Sequence, residues 1–228
     1  VGLRPTKGLS SDAGIIPLWQ SDDVAGPLAR SVRDVAIMMD SVAGFDPQDP
    51  ETVLVQQRSF PGFFRSLGSA DLSTIRLGRL ANYFDHNPYS DVSKVIGSAL
   101  EKLKAQGVTV VDIDTSLFDK VYAELERKPP FSSEFKADME NYFQSYPGTG
   151  FDSVGHFAEL GLYHERLDRF VPFREMVGSY PSDLETELKA KWKVLLKQMI
   201  EQVMARHNLD AFIYPSVKVI PAKLGESQ

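Results

Sequence analysis

The residues able to carry chemistry are few, and their spacing is unhelpful to catalysis. The histidines are His86, His156, His164 and His207, and no two stand one helical turn apart. They form no zinc-binding pair, so each reads as structural or exposed, and no metal is expected. Glu134, Asp138 and Glu140 share one helical stretch and could in principle divide acid and base roles. Carboxylates spaced in this way on one helix more often make a solvated face. Ser10 and Ser11 lie close to Lys7, but a serine nucleophile needs an oriented base and an oxyanion hole. No Gly-x-Ser-x-Gly elbow and no Walker-type phosphate loop occurs, and Gly148-Thr149-Gly150 is too short a glycine signal to cradle a phosphate. No residue is assigned as catalytic and no cofactor is expected.

The elements that must position these residues follow from periodicity and punctuation. The opening to about Pro27 is rich in glycine and proline with apolar residues between them, which predicts a folded, turn-rich segment. Ser31 is a good N-cap and Asp34 stands where a capping-box acid belongs. Val32, Val35, Ala36, Met39, Val42 and Ala43 then trace one apolar helical face that Gly44 stops. Phe45 to Pro50 reads as a rigid connector.

Ile75–Leu80 predicts a strand, Ser90–Gln106 a helix ended by Gly107, and Val108–Ile113 a second, β-branched strand. A strand–helix–strand order of this kind implies two adjacent parallel strands. Helices are predicted over Leu117–Glu126, Ser133–Ser145, Val154–Tyr163, weakly over Arg166–Val177, and over Asp183–His207 closed by Asn208. In the last of these, Leu184, Leu188, Trp192, Leu195, Met199 and Val203 form the apolar stripe. Asp210–Pro215 predicts a short buried strand, and Ser216–Gln228 a loop. The expected fold is α/β, a mixed twisted β-sheet flanked by α-helices. Between Phe118 and Phe173 aromatic residues are dense, enough to line an apolar pocket or to pack a helical layer.

Composition narrows the function classes. The chain has 228 residues, 43% of them apolar and 25% charged, which suits a globular domain with a sizeable core. A net charge of −6 without a basic cluster argues against nucleic-acid binding. Lys189, Lys191 and Lys193 read as a solvated helix face. The absence of cysteine removes disulfides, thiolate metal sites and thiol nucleophiles. No apolar run approaches the roughly 20 residues of a membrane helix, and no membrane partner is expected. The expected location is cytoplasmic. Val1-Gly2-Leu3-Arg4-Pro5 is expected to belong to a structured motif rather than to a secretory leader.

The opening motif also carries a resemblance. Gly2-Leu3-Arg4-Pro5-Thr6, then Ser11-Asp12-Ala13-Gly14-Ile15-Ile16-Pro17, then Asp23 through Asp34 with Gly26-Pro27, Arg30 and Ser31-Val32 follow one another in an order that resembles the amidase signature family. The match is to the segment just after that family's catalytic serine. Ile75–Leu80, Val108–Ile113, Glu134-Phe135-Lys136-Ala137-Asp138 with Tyr142, and Leu209–Ser216 are similar to later segments of the same family.

The resemblance implies an incomplete amidase domain over 1–228. Its core segments would be 1–50, 72–114 and 209–216, with a helical substrate-side cover over about 117–207. It implies hydrolysis of a carboxamide C–N bond through a Ser-cisSer-Lys triad, with a small-molecule amide as the substrate. The triad residues lie N-terminal to the Gly2–Thr6 match in the family order, so none maps onto this chain, which is expected to be inactive alone. Arg4, Asp23, Gly26, Pro27 and Arg30 are expected to be structural, and Arg30 can pair with Asp34. Phe135, Tyr142 and Tyr163 are the candidates for a substrate-side pocket. A non-catalytic scaffold with the amidase fold, or a small-molecule binding module using the aromatic cleft, are the alternatives.

Overall fold

In the computed structural model, residues 1–56, 62–68, 70–85, 90–116, 118–119, 133–165, 183–217 and 223 are described. The chain divides into two compact units, Val1–Ser69 with Pro129–Glu187, and Ala70–Lys128 with Leu188–Gln228.

The first unit is built on the turn-rich opening and its first helix, α1 (Val32–Val42). Ser31 caps it as expected: its hydroxyl oxygen accepts the Asp34 N–H at 3.1 Å, and its O–H lies 2.8 Å from the Asp34 carboxylate. The buried residues are Val35, Ala36 and Met39. Val32 and Val42, expected on the same buried face, are about half exposed. Periodicity tells which residues share a face, but the length of the cover is a tertiary matter. The helix closes on Ala43, in extended conformation, rather than on a left-handed Gly44. Gly44 instead donates its N–H to the Leu9 carbonyl at 3.1 Å, which ties the helix end to the opening loop.

A short helix, α2 (Val53–Gln56), follows a 3-10 turn at Pro50–Thr52. The same unit contains the helices that will be labelled α5 (Ser133–Ser145) and α6 (Val154–Glu159). Helix α6 is shorter than its sequence expectation, because Gly161 adopts a positive φ of 59° just beyond it and turns the chain. The cluster Met139, Phe143 and Val154 holds α5 to α6, with Phe135, Tyr142 and Phe151 packed against it.

The second unit is a parallel sheet flanked by helices. Strands β1 (Arg76–Leu80), β2 (Thr109–Ile113) and β3 (Ala211–Ile213) lie in the order β2-β1-β3. Both pairings of β1 are parallel, with Gly78 opposite Val111 on one side and Phe212 on the other. The pair expected from the strand–helix–strand pattern is therefore present. Gly78 has no room for a side chain: a Cβ there would lie 2.6 Å from Leu209 and 2.9 Å from Phe212.

Among the described residues this unit includes helices α3 (Ala81–Asp85), α4 (Ser90–Ala105) and most of α7 (Asp183–His207). On α7, Met199 is buried but Leu195 is 43% exposed, so the expected apolar stripe is only partly covered. Asn208 ends α7 at a φ of 51°, a left-handed position that asparagine tolerates better than most residues. Asp210 then locks β3 in place, since its carboxylate accepts the Arg76 N–H at 2.7 Å and its own N–H reaches the Arg76 carbonyl at 2.8 Å. The helices expected over Leu117–Glu126 and Arg166–Val177 lie largely outside the described residues. None of the described helices is long and apolar enough to cross a membrane.

Candidate functional site

Glycine and proline shape the opening loop by permitting close approach. The Leu3 N–H donates to Pro27 O at 3.1 Å and the Ala29 N–H to Val1 O at 2.9 Å, which brings Gly2 opposite Leu28. Gly26 allows this contact, because a Cβ there would sit 2.1 Å from Leu3 O. Pro27 is buried beside it. Arg4 donates from Nη2 to the Asp22 carbonyl at 2.9 Å. Asp23 accepts the N–H groups of Leu18 and Trp19 on a single oxygen, at 2.7 and 2.9 Å. Four of the five motif residues therefore shape this loop. Arg30 is exposed and makes no ion pair among the described residues. No Arg30–Asp34 ion pair is found among the described residues; the Asp34 carboxylate accepts the Ser31 hydroxyl.

Beneath the loop lies a polar network. Asp12 is 5% exposed and accepts from Lys7 Nζ at 2.5 Å and from the Ala25 N–H at 3.1 Å. Its own N–H donates to Asp49 at 2.9 Å. Lys7 also reaches Glu51 at 3.0 Å. Burial is the largest single influence on Lys7 and lowers its pKa, but the hydrogen bonds and charges of Asp12 and Glu51 together outweigh it. The net shift is upward, so Lys7 is held as an ammonium and is unsuited to act as a base. Gly8, at a φ of 78°, lets the chain pass against the Glu51 carbonyl, where a Cβ would lie 2.4 Å from the oxygen.

Both nearby serines are committed. Ser10 donates to the Ala25 carbonyl and Ser11 to the Asp46 carboxylate, each at 2.7 Å. The Ser11 hydroxyl and the Gln48 N–H hold the Asp46 carboxyl below the ordinary carboxylate range. Ser10 thus faces a carbonyl, and the carboxylate that Ser11 faces is made a weaker base by that downward shift.

The face of α5 toward this loop builds a cleft. The Gln20 N–H donates to Asp138 Oδ2 at 2.9 Å and the Ser21 hydroxyl to Glu134 Oε2 at 2.7 Å. These two carboxylates fasten the loop rather than forming an acid–base pair, and Glu140 lies 3.9 Å from Lys136. Between loop and helix lies a cleft of about 490 Å³, lined among others by Asp12, Gly14, Gln20, Gln48, Asn141 and Tyr142. The Tyr142 hydroxyl stands 3.5 Å from the Gly14 carbonyl, at the outer limit of a hydrogen bond. Ser145 and Tyr146 complete the helical side.

Of the three aromatic candidates, only Tyr142 lines this cleft. Phe135 packs against the Met139–Phe143–Val154 cluster. Tyr163 packs on Phe157, ring centroids 5.8 Å apart, at the end of a run of rings through Phe151 and Phe143. The sequence reading missed Gln20, Gln48, Asn141 and Ser145. Part of the signal was present, since 138, 141, 142 and 145 have the i, i+3, i+4, i+7 spacing of one helix face.

In the second unit a cavity of about 480 Å³ lies among Arg79, Phe84, Gly97, Leu100, Val110 and Asp112. Arg79 pairs with Asp112 at 3.0 Å and lies over the Phe84 ring at 4.5 Å. Among the described residues no cluster of His, Asp or Glu could hold a metal ion.

Comparison with known proteins places this architecture. The family model described as Amidase matches residues 1–228. A glutamyl-tRNA(Gln) amidotransferase subunit from Dehalococcoides mccartyi is 28% identical over 99% of this chain and 46% of its own length. The protein of the same description from Methylobacillus flagellatus is 38% identical over 76% of this chain and 32% of its own. Among solved structures, the peptide amidase from Stenotrophomonas maltophilia superposes with a TM-score of 0.64 at 26% identity, over 93% of this chain and 45% of that one. An amidase family protein from Bacillus anthracis shares the fold with a TM-score of 0.70 at 21% identity, over 95% and 43%. The chain thus spans just under half the length of relatives matched along nearly its whole length. With the family model matched from Val1 to Gln228, the chain belongs to the amidase signature family.

Proposed function

We propose that this chain is part of an amidase that hydrolyses the C–N bond of a carboxamide, yielding a carboxylic acid and ammonia or an amine. The observation that carries this reading is the family match over all 228 residues, the opening motif included. The chemistry that goes with the family is a Ser-cisSer-Lys relay. The lysine takes the proton of the bridging serine, which takes that of the nucleophilic serine as it attacks the carbonyl carbon. Backbone N–H groups of a glycine-rich loop hold the oxyanion, a contribution worth about 2.7–4 kcal/mol per donor in comparable sites.

In the family order those residues precede the Gly2–Thr6 motif, and they map onto none of the residues here. Ser10 and Ser11 do not replace them, since each donates to a structural acceptor. The part of this chain is to hold the loop after the nucleophile rigid and to supply the cleft wall around Tyr142. The substrate in this reading is a small neutral or aryl carboxamide and the setting cytoplasmic, with no nucleic acid or cofactor involved.

The test is an assay of the purified chain against aliphatic and aryl amides, read as ammonia or amine release. No turnover is expected. Turnover abolished by Ser10→Ala or Ser11→Ala would place the active site within the chain and overturn the assignment. The coding sequence preceding Val1, read for a lysine, a Gly-Ser-Ser and a Gly-Gly-Ser segment, is the companion check. Their absence would favour a scaffold that kept the fold without the chemistry.

A further inference from the structure

The cleft between the opening loop and α5 has a chemical character of its own. Gln20, Gln48 and Asn141 each bring a primary carboxamide to its lining, and none of these three side chains makes a hydrogen bond among the described residues. Each offers two N–H donors and a carbonyl acceptor. Ser145 and the Tyr146 phenol add hydroxyls on the same side. The apolar part comes from Ile15, Pro17 and the faces of Tyr142 and Tyr146, whose ring centroids are 4.8 Å apart.

The charges on the lining are all carboxylates, Asp12 and Asp138, and no lysine or arginine lines the cleft. The nearest cation of the network, Lys7, is already shared between Asp12 and Glu51. A bound anion would therefore meet no counter-charge from the lining. A group with alternating N–H and C=O would find complementary partners, as amides pair with amides through one donor and one acceptor each.

We propose that this cleft binds an uncharged peptide-like chain, recognised through its amide groups by Gln20, Gln48 and Asn141, and discriminates against carboxylates. The inference rests on the amidase reading and gives it a substrate class, with Asn141 and Gln48 as specificity-determining residues. Both are exposed, so their replacement leaves the core untouched.

The experiment is binding to the chain itself, followed by NMR of the side-chain NH₂ signals. Three probes of one shape suffice: N-acetyl-alanyl-alanine amide, its methyl ester and the free acid. The amide is expected to bind best, with the acid weaker by about tenfold for want of a counter-charge. Asn141→Leu with Gln48→Leu should bring the amide down to the level of the ester, without changing the thermal melt. Raised salt should lift the acid toward the amide.

Three results would overturn the proposal: an acid that binds as tightly as the amide, no saturable shift for the amide up to about 10 mM, or an unchanged ranking in the double variant. The two readings fail separately. Loss of the ranking sinks the cleft assignment whatever the reaction, whereas a complete protein that hydrolyses no amide would sink the reaction while the binding order stands.

Discussion

Lys7 Nζ lies 2.5 Å from Asp12 Oδ2, and that contact anchors a network joining the opening loop to the turn before α2. Asp12 is nearly buried, and its two carboxylate oxygens serve Lys7 and the Ala25 N–H. Removing the carboxylate by Asp12→Ala strands both donors and should cost about 2–4 kcal/mol, read as a lowered urea midpoint. The pH dependence follows from the raised pKa of Lys7. A lysine whose folded pKa exceeds its unfolded value stabilises fully below about 10.4, and that stability is lost as pH rises through the folded pKa. Wild type should therefore lose stability above about pH 10.4 more steeply than Lys7→Met, and equal slopes would show that the pair contributes nothing.

Gly26→Ala should be far more damaging than Gly97→Ala. The first places a methyl group 2.1 Å from Leu3 O, against backbone that cannot yield without opening the Gly2–Leu28 bridge. A loss of at least about 2 kcal/mol is expected, measured by chemical denaturation. The second sits in α4 with nothing within 4 Å of its added Cβ. There the gain in helix propensity should stabilise by about 0.5–1 kcal/mol.

Asp138→Ala should expose the Gln20 amide to hydrogen exchange, since that carboxylate is its acceptor. Asp138→Asn keeps an acceptor oxygen and should preserve much of the protection. A double-mutant cycle on Ser21 and Glu134 should give a coupling of about 0.5–1.5 kcal/mol. Gln20 protection unchanged in Asp138→Ala would mean that loop and helix are held by other contacts.

Phe135→Ala and Tyr142→Phe should separate packing from recognition. Phe135 supports the Met139–Phe143–Val154 cluster, so its truncation should cost about 2–4 kcal/mol. Tyr142→Phe removes only a hydroxyl at the limit of bonding distance and should leave the melt within about 0.5 kcal/mol. Reversed sensitivities would mean that the Tyr142 hydroxyl, and not the Phe135 ring, supports this packing.

Acid should weaken the turn at Asp71. The Ser73 hydroxyl and then the Ser73 N–H hold this carboxyl below its ordinary range. A carboxyl depressed in the folded state stabilises above about pH 3.9 and loses that contribution as pH falls through the folded pKa. Ser73→Ala should return the Asp71 titration toward the ordinary value, followed by NMR, and an unmoved midpoint would exclude the hydroxyl as the cause.

What the chain's own pattern decided was local. The Ser31 cap, helix α5 from Ser133 to Ser145, the long α7 and its Asn208 stop, and the parallel pairing of β1 with β2 were all readable. Caps, periodicity and left-handed stops act over a few residues, and a crossover helix constrains its two flanking strands. The family, too, was legible, because its motifs lie consecutively in the first 34 residues. Tertiary structure decided the rest. It made Glu134 and Asp138 the fasteners of a loop more than 100 residues away, with sequence separations of 113 and 118. It packed both Phe135 and Tyr142 against the Met139–Phe143–Val154 cluster but gave only Tyr142 a place on the cleft, although both are large aromatic residues on the same helix. It left Arg30 outside the network that Arg4 and Asp23 join. Hydrogen bonds and packing between distant segments depend on where the chain returns in space, and residue spacing along one element carries no record of that return.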